Sequence, residues 1–389
     1  MVSLHTSPAE APGAADAGGM NVVEWHEALA LAGMGVEVDL MTRRHAPGLP
    51  DVVDVAPGVR LLHLDAGPAT SLPKSAIDAF IPQFAEALDG LGGYDVYHCQ
   101  HWMSGIAALE VARRRGVPLV QSFHSVAAPP GVDLSHGEPP ESPGRVPGEA
   151  RLAREADHVI AISAAEARTV IQRCGADPDR VSIIPPGVDL GLFRPLSVAD
   201  RESSDERPYL AFAARLQPLK GPDLAIEALA RVDARVRPRL VIAGADSLDF
   251  AQYAAHLHEQ VRDLGLTEDV SFVGPRTRPE LAALFQGAQL VLVPSYSETF
   301  GLVALEAAAC GTPVIASATG GLREAVVHGE TGQLMDSREP GDWADAITRL
   351  LTDESTLARM GVVSRVHARR FTWEAMARQV ADVYESLVS

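Results

Sequence analysis

Two glutamates, Glu298 and Glu306, are separated by seven residues in the segment Ser295–Gly320 (SYSETFGLVALEAAACGTPVIASATG). Apolar residues recur there at helical spacing, which predicts a strand that ends near Pro294 and a helix that begins near Phe300. The free backbone amides and the positive dipole end of such a helix bind anions where a parallel sheet receives its ligands. The two carboxylates therefore frame a candidate anion site, although solvated glutamates on a surface helix would give the same spacing.

A second candidate set is cationic. Arg215 and Lys220 are five residues apart in Ala213–Gly221 (AARLQPLKG), between a predicted strand and the predicted helix Asp223–Val232. Two cations on one strand-to-helix loop can both reach a single diphosphate, where they offset the charge that develops on a leaving nucleotide. Taken alone, the two residues are also compatible with ordinary surface cations.

The segment around the two glutamates resembles the donor-binding segment of the retaining, GT-B-fold glycosyltransferases of glycosyltransferase family 4. In that family the first glutamate sits beside the donor sugar and the second holds the nucleotide ribose, which assigns these roles to Glu298 and Glu306. The family's pyrophosphate-binding pair corresponds to Arg215 and Lys220. Further donor-binding positions that the resemblance implies are Gly18, Gly19, Arg276, Phe300, Gly301 and Leu302.

A glycine pair in the loop Asp16–Asn21 (DAGGMN) precedes a helical pattern that runs through Ala32. Such a pair lets a phosphate or sugar oxygen approach backbone N–H groups, although a plain turn has the same composition. With SLHTSP before it, this loop is similar to that of the mycothiol-pathway glycosyltransferases, which join N-acetylglucosamine to inositol 1-phosphate. The resemblance implies a UDP-sugar donor and places Asn21 at the acceptor.

Two cations match the acceptor phosphate site of those enzymes. Lys74 corresponds to a lysine that binds the phosphate, although a solvated lysine at a helix start is the alternative interpretation. Arg145 corresponds to the second phosphate-binding cation. It lies near the end of Ala127–Gly148, a stretch rich in proline and glycine that is longer than most compact loops and is therefore either a lid or disordered.

Three further positions lie near predicted strand ends. Two of them differ from the resembled enzymes, and one matches the family. His101 stands where they have a tyrosine, and Ser125 replaces a threonine near the acceptor. His124 stands where the family has a histidine that contacts the donor sugar, and the carboxyl end of a strand faces the ligand crevice. The two replacements leave the acceptor open: a relative from an antibiotic or thiol pathway would glycosylate an aminocyclitol or a zwitterion such as ergothioneine, with a GDP-sugar as an alternative donor.

The fold class predicted from the alternation of apolar runs with helical patterns is α/β, with two doubly wound Rossmann-like domains. The resemblance implies the GT-B arrangement, in which the domains face a central crevice. We predict an acceptor-binding domain over residues 1–196, a donor-binding domain over 197–372 and a C-terminal helix over 373–389 that returns to the first domain. The polar stretch Leu196–Pro208 has linker composition. The predicted strands are Val36–Met41, Tyr94–His98, Pro118–Phe123, His158–Ile162, Val181–Ile184, Tyr209–Ala213, Arg239–Ala243, Val270–Val273, Leu290–Val293 and Pro313–Ala316.

Composition limits the possible partners. The 389 residues carry 51 acids against 33 Lys and Arg, a formal charge of −18, which argues against nucleic acid and anionic membrane as partners. No apolar run is long enough to insert into a membrane, and the first residues lack a signal-peptide pattern, so we expect a cytoplasmic protein. The scattered Cys99, Cys174 and Cys310 predict neither disulfides nor zinc. A homodimer remains possible.

We predict no metal and no cofactor. The only acidic pair of D-x-D type on a loop, Asp177 and Asp179, fits a turn, and Arg215 and Lys220 supply the charge that Mg²⁺ or Mn²⁺ would bring. The leaving diphosphate would itself take the acceptor proton, with Glu298 and His124 positioning the sugar.

Three other classes of protein are alternatives to a glycosyltransferase. A glycan phosphorylase would need a lysine for pyridoxal phosphate, which we do not identify. A nucleotide-sugar epimerase would act on the donor alone, and product analysis with and without acceptor would distinguish it. A non-catalytic sugar-nucleotide binder would not need groups that stabilise a leaving group.

Overall fold

Buried strands form two separate parallel sheets in the computed structural model of this chain, which describes residues 1–10, 18–196, 207–246 and 250–388. Each sheet belongs to its own structural unit. The first unit contains the described residues of Met1–Gly187 together with the helix Trp373–Val388, and the second contains the described residues of Val188–Thr372. The two units are the doubly wound α/β domains that the sequence predicts.

The sheet of the first unit has the strand order β3-β4-β2-β1-β5-β6-β7-β8. Its pairs are parallel except for β3 and β4, which are antiparallel. The strands are β1 Val2–Ser3, β2 Val38–Arg43, β3 Val52–Ala56, β4 Val59–Leu64, β5 Tyr97–Gln100, β6 Leu119–Ser122, β7 His158–Ala161 and β8 Val181–Ile183. The central strands are buried along their whole length because helices cover both faces of a parallel sheet.

Helices of the first unit supply the covering layers. Large side chains such as Phe84, Trp102, Phe123 and Leu152 join the strands in one hydrophobic core. The helices are Gly19–Gly33, Lys74–Ile77, Ile81–Asp89, His101–Arg115, Arg145–Glu155, Ala164–Thr169 and Trp373–Val388, with 3-10 turns at Asp78–Phe80, Leu134–His136 and Pro178–Arg180 and a π turn at Val170–Cys174.

The C-terminal helix Trp373–Val388 packs on the helix Gly19–Gly33. The indole of Trp373 stacks on His26 with ring centroids 4.8 Å apart. Further along the helix, the Tyr384 hydroxyl lies within hydrogen-bond distance, 2.7 Å, of Nδ1 of His98 in the strand β5. The predicted return of this helix to the first domain is confirmed.

The sheet of the second unit is fully parallel, with the order β11-β10-β9-β12-β13-β14. Its strands are β9 Tyr209–Ala213, β10 Arg239–Ala243, β11 Val270–Gly274, β12 Leu290–Val293, β13 Val314–Ser317 and β14 Gly332–Met335. The surrounding helices are Pro222–Arg231, Ala251–Asp263, Arg278–Gly287, Leu302–Ala309, Leu322–Ala325, Pro340–Thr352 and Glu354–Ala368, with a 3-10 turn at Pro218–Lys220. The carboxyl ends of β9 and β12 carry the two predicted donor loops.

The division between the units lies upstream of the predicted boundary at residue 196. Residues 188–196 associate with the second unit because their backbone is held there: Val188 donates to the Phe371 carbonyl oxygen at 3.1 Å, and Arg365 Nη1 donates to the Phe193 carbonyl oxygen at 2.8 Å. Most of the predicted linker Leu196–Pro208 lies outside the described residues. Within the described ranges, no helix is both long and apolar enough to cross a membrane.

Candidate active site

The glutamate-bearing segment of the second unit follows β12. Its helix begins at Leu302, slightly later than the sequence predicts, because Gly301 has a left-handed backbone with a φ of 106°. A Cβ atom there would lie 2.6 Å from Cδ2 of Leu322, so the position requires glycine. Gly320 approaches the same loop so closely that its Cβ would lie 2.0 Å from the Glu298 carbonyl oxygen. Two glycines thus fix the loop that carries Glu298.

Lys220 and Glu298 lie together although they are far apart in the sequence. The Lys220 ammonium donates to Oε2 of Glu298 at 2.7 Å, and the Ser295 hydroxyl donates to the same oxygen at 3.3 Å. Both charged side chains are about one-fifth exposed, at 20% and 21%. The backbone of Tyr296 donates to the Leu219 carbonyl oxygen at 2.8 Å, which ties the two loops to each other. Two of the predicted catalytic residues are therefore adjacent.

Arg215 is half-buried on the loop that also carries Lys220. The backbone on either side of it is held by the neighbouring strand, with Ala214 donating to the Ala243 carbonyl oxygen at 3.1 Å and Leu216 to that of Ala245 at 3.0 Å. A Cβ atom at Gly244 would lie only 1.9 Å from the Ala214 carbonyl oxygen. Close packing of two loops thus sets the direction in which the Arg215 backbone runs.

Glu306 lies inside the helix Leu302–Ala309 and is 2% exposed. Its carboxylate forms an ion pair with the guanidinium of Arg278, which in turn lies over the Phe193 ring, 4.6 Å from its centroid. Burial raises the pKa of Glu306, and the charge of Arg278 opposes that rise. Glu306 thus forms an ion pair within the chain that was not predicted from the sequence.

The resemblance names Arg276 and not Arg278. Arg276 lies 3.8 Å from Glu280, and its donor contact stays a prediction. A signal for Arg278 was present in the sequence. Thr277 and Glu280 form a capping box, the T-x-x-E pattern that marks a helix start, and this places Arg278 at the first helical position. The pattern locates the residue, but only the fold brings it to Glu306.

Phe300 does not offer its side chain to a donor. The ring is 2% exposed and contacts Phe371 edge-on, with centroids 5.7 Å apart. Any donor contact at Phe300 therefore comes from its backbone. Leu302, two positions further, is partly exposed at the start of its helix.

In the first unit, three predicted acceptor residues converge on one carboxylate oxygen, Oε2 of Glu138. Arg145 Nη1 lies 3.3 Å from it, the Ser125 hydroxyl 3.4 Å and the Lys74 ammonium 4.0 Å. Lys74 begins the helix Lys74–Ile77, Ser125 follows β6, and Arg145 begins the helix Arg145–Glu155. The fold thus assembles the predicted set around a negatively charged atom.

The side chain of Arg145 already has anionic partners within the protein. It is 0% exposed and contacts three carboxylates. Its Nε donates to Glu149 at 2.8 Å, and its Nη1 contacts both Glu138 and Glu141. Burial alone would lower the pKa of Arg145, but these carboxylates raise it above its usual value. The guanidinium is therefore permanently charged and held in one orientation, with its Nη2 donating to the Ser125 hydroxyl at 2.9 Å.

His101 has a left-handed backbone, with a φ of 68°, and is 2% exposed. Neither ring nitrogen has a hydrogen-bond partner in the described part of the chain; Nε2 is 3.8 Å from Glu141 Oε1, and the ring lies 4.2 Å from that of His5. Burial, followed by the nearby charge of Lys74, lowers the pKa of His101 well below its usual value. The imidazole is therefore neutral.

His124 is the second non-glycine residue with a left-handed backbone, with a φ of 59°. Its Nε2 lies 2.5 Å from Oε1 of Gln100, whereas Nδ1 has no partner among the described residues. Burial lowers the pKa of His124 to about 3, so the ring is neutral. With Nε2 carrying the hydrogen, Nδ1 remains as an acceptor for a hydroxyl group.

Comparisons with known proteins identify the family of this chain. Residues 194–366 match the family Glycosyl transferases group 1, and residues 18–187 match the Glycosyl transferase 4-like domain. The D-inositol 3-phosphate glycosyltransferase of Salinispora tropica is 41% identical, over 100% of this chain and 85% of its own length. A second such protein from Catenulispora acidiphila is 42% identical, over 99% of this chain and 93% of its own length. The chain belongs to the GT-B glycosyltransferases.

Solved structures agree with the fold of this glycosyltransferase. Sucrose-phosphate synthase from Thermosynechococcus elongatus superimposes with a TM-score of 0.90 at 30% identity, over 99% of this chain and 98% of that one. Anabaena Alr3699/HepE in complex with UDP-glucose shares the fold, with a TM-score of 0.77 at 21% identity, over 99% of both chains.

Asn21 of this glycosyltransferase forms hydrogen bonds with neighbouring residues of the chain. It is 1% exposed, its Nδ2 donates to the Ser7 carbonyl oxygen at 2.7 Å and to the Thr6 hydroxyl at 3.0 Å, and its Oδ1 accepts from the Gly18 amide at 3.0 Å. Asn21 and the Gly18 amide thus form structural hydrogen bonds, and the acceptor contact of Asn21 stays a prediction. Gly19 begins its helix, and Asp16 and Ala17 lie outside the described residues.

The acidic pair Asp177 and Asp179 forms a turn in the glycosyltransferase, as predicted. Oδ1 of Asp177 accepts from the Asp179 amide at 3.1 Å and caps the 3-10 turn Pro178–Arg180. In the described ranges, no cluster of three or more His, Cys, Asp or Glu residues is arranged to hold a metal ion.

Proposed function

We propose that this glycosyltransferase transfers N-acetylglucosamine from UDP-N-acetylglucosamine to an inositol monophosphate, the 1-phosphate of the resembled enzymes, with retention of the anomeric configuration. The observation that carries the acceptor is the convergence of Lys74, Ser125 and Arg145 within 4.0 Å of one carboxylate oxygen, since a set that holds one anionic oxygen suits a phosphate oxygen. Relatives named D-inositol 3-phosphate glycosyltransferase support an inositol monophosphate as the acceptor, and D-inositol 3-phosphate is the same compound as L-inositol 1-phosphate.

On the donor side, Lys220 and Arg215 hold the diphosphate. An ammonium group has three hydrogens, so Lys220 can keep its 2.7 Å contact with Glu298 and direct the others to phosphate oxygens. As the bond between the sugar and the diphosphate breaks, negative charge grows on the leaving group, and both cations stabilise it. The leaving oxygen then accepts the proton of the attacking inositol hydroxyl, which places the new bond on the face from which the diphosphate departs.

The remaining donor residues position the sugar nucleotide. Glu298 binds a sugar hydroxyl, and Nδ1 of His124 accepts from another. Glu306 binds the ribose from within its pair with Arg278, which keeps the carboxylate charged although burial favours its protonation. The chain requires no metal or organic cofactor in this scheme because the protein supplies the cations. A homodimer is compatible with it.

A matched pair of acceptors tests the proposal. Purified enzyme with UDP-N-acetylglucosamine should convert inositol 1-phosphate with a kcat/KM at least about tenfold above that for myo-inositol, since one charge-assisted contact contributes about 1.5 kcal/mol or more. Nuclear magnetic resonance of the product should show the α-anomer. Equal use of both acceptors, or use of neither, would rule out the phosphate assignment.

A second candidate acceptor is an aminocyclitol or a zwitterion such as ergothioneine, with UDP- or GDP-sugar as donor. It is favoured by one observation: the carboxylate of Glu141 lies 3.8 Å from His101, a neutral histidine whose ring nitrogens have no hydrogen-bond partner among the described residues, at the position where the resembled enzymes have tyrosine. An ammonium group would pair with that carboxylate. Thermal-shift measurements with inositol 1-phosphate, an aminocyclitol and ergothioneine at equal concentration would rank the acceptors, because stabilisation of the native state grows with the logarithm of the ratio of ligand concentration to Kd.

A further inference from the structure

The acceptor set of the first unit contains more negative than positive charge. Its two cations, Lys74 and Arg145, face the carboxylates of Glu138, Glu141 and Glu149. A phosphate that entered this set unchanged would add further negative charge to a group that is already in excess. Electrostatic repulsion therefore favours displacement of one carboxylate when an anionic acceptor binds.

Glu138 is the carboxylate that leaves most readily. Glu149 is 2% exposed, and its two oxygens also accept from the Ala127 amide at 3.1 Å. Glu141 is 10% exposed and accepts from the Trp102 indole at 2.8 Å. The Glu138 side chain is 27% exposed, and the contacts of its Oε2 with the acceptor residues are longer, at 3.3 to 4.0 Å.

An independent feature indicates that this region is built for a ligand. The imidazole of His101 has no hydrogen-bond partner in the described ranges for either nitrogen, although both are buried. Buried ring nitrogens without hydrogen bonds are unfavourable. Nε2 of His101 lies 3.8 Å from Glu141, so these nitrogens are next to the charged acceptor residues. The left-handed backbone of His101 adds strain at the same place.

We propose that Glu138 is a specificity-determining residue: its Oε2 occupies the position of an oxygen of the acceptor phosphate, and the phosphorylated acceptor binds by displacing it. This inference rests on the proposed function. A neutral acceptor brings no charge that could replace the carboxylate at Lys74 and Arg145, so Glu138 stays in place. Glu138 thus reduces the binding of unphosphorylated cyclitols. It also raises the KM for the phosphorylated acceptor, which must displace it.

The test compares Glu138→Gln with Glu37→Gln, which removes the same charge from an exposed position in the first unit. Glu138→Gln should lower KM for inositol 1-phosphate about fivefold and leave kcat within about twofold, the size expected when a partly exposed ion pair no longer competes. Glu37→Gln should match the wild type. Unchanged or higher KM in Glu138→Gln would overturn the proposal, and so would a gain of the same size in Glu37→Gln.

A second comparison separates competition from a purely structural role. In a Lys74→Ala background, Glu138→Gln should give a smaller gain in KM, because one of the two cations that it releases is absent. A full gain in that background would mean that Glu138 acts elsewhere. Glu138→Ala provides the same test should the amide variant fold poorly. Loss of a mere structural ion pair would lower the melting temperature without improving KM, and that result also overturns the proposal.

Binding of inorganic phosphate, measured by calorimetry without donor, distinguishes failure of this inference from failure of the proposed function. If inositol 1-phosphate is not a substrate but Glu138→Gln still binds phosphate about fivefold more tightly than the wild type, the displacement stands and the acceptor assignment falls. If transfer proceeds but neither KM nor phosphate affinity changes, the displacement falls alone. Weaker binding of an ammonium-bearing acceptor in Glu138→Gln, with no gain for phosphate, would indicate a cation site and overturn the inference.

Discussion

The ammonium nitrogen of Lys220 lies 2.7 Å from Oε2 of Glu298, across a sequence separation of 78 residues. The pair joins the loop after β9 to the loop after β12, two strands that are neighbours in the second sheet. In a parallel sheet the carboxyl ends of adjacent strands meet at one edge, so the fold itself brings a cation beside a carboxylate. Both side chains are about four-fifths covered.

Removing either of the two cations proposed to bind the diphosphate should slow the reaction. Lys220→Ala and Arg215→Ala are each expected to lower kcat by about 10²-fold or more, since both remove charge stabilisation that grows in the transition state. Arg231→Ala, which removes a cation that is 49% exposed on a helix of the same unit, is the control and should leave kcat unchanged. Near-normal turnover in both Lys220→Ala and Arg215→Ala would refute their assignment.

Glu306→Ala should raise the donor KM more than it lowers kcat, because a ribose contact remote from the reacting carbon contributes mainly uniform binding. A pure loss of kcat would give Glu306 a different role. Arg278→Leu should have the same kinetic effect and should also destabilise the fold by about 3 kcal/mol, the usual cost of leaving one member of a buried ion pair alone. Urea unfolding measures the second effect, and the exposed Glu259→Ala serves as its control.

Lys74 should distinguish acceptors by their phosphate. Lys74→Ala is expected to weaken inositol 1-phosphate by about 1.5–3 kcal/mol, the range for hydrogen bonds to charged groups, and to leave myo-inositol almost unaffected. The KM values of both acceptors at saturating donor provide the measurement. Arg114→Ala removes an exposed cation of the same unit as a control. An equal loss for the two acceptors would show that Lys74 acts on something other than phosphate.

Acid should destabilise the first unit through His124. Its pKa is about 3 in the folded chain and about 6.5 in an unfolded one, so below pH 6.5 the unfolded state binds a proton that the folded state excludes. Stability therefore falls with pH across that window, by about 1 to 2 kcal/mol between pH 7 and pH 5 from this residue. Urea unfolding of His124→Asn should show a correspondingly smaller difference between the two pH values. An unchanged difference would mean that His124 titrates normally.

Activity should survive chelation. Because Arg215 and Lys220 supply the positive charge, we expect EDTA to leave the initial rate within about twofold. A strict requirement for Mg²⁺ or Mn²⁺, met by adding the ion back after dialysis, would contradict this expectation.

Most of the parallel strands could be predicted because buried runs such as Leu290–Val293 are apolar throughout, but the parallel strands Val59–Leu64 and Gly332–Met335 were not predicted. The antiparallel edge strand Val52–Ala56 was missed because it is exposed to half-exposed and contains an aspartate, which gives it no continuous apolar signal. At the site, residue identity and spacing located Lys220 and Glu298. They could not show that Arg145 is fully covered by carboxylates or that Phe300 belongs to the core, since both depend on contacts made by the folded chain.

The stacking of Trp373 on His26 has a consequence for synthesis of the chain. The helix Trp373–Val388 belongs to the first unit, yet it follows the described strands of the second unit in the sequence and is made after them. During translation the N-terminal unit therefore waits with the apolar surface under Met376, Ala377 and Val380 uncovered until this helix has left the ribosome. Its folding cannot be finished domain by domain in the order of synthesis.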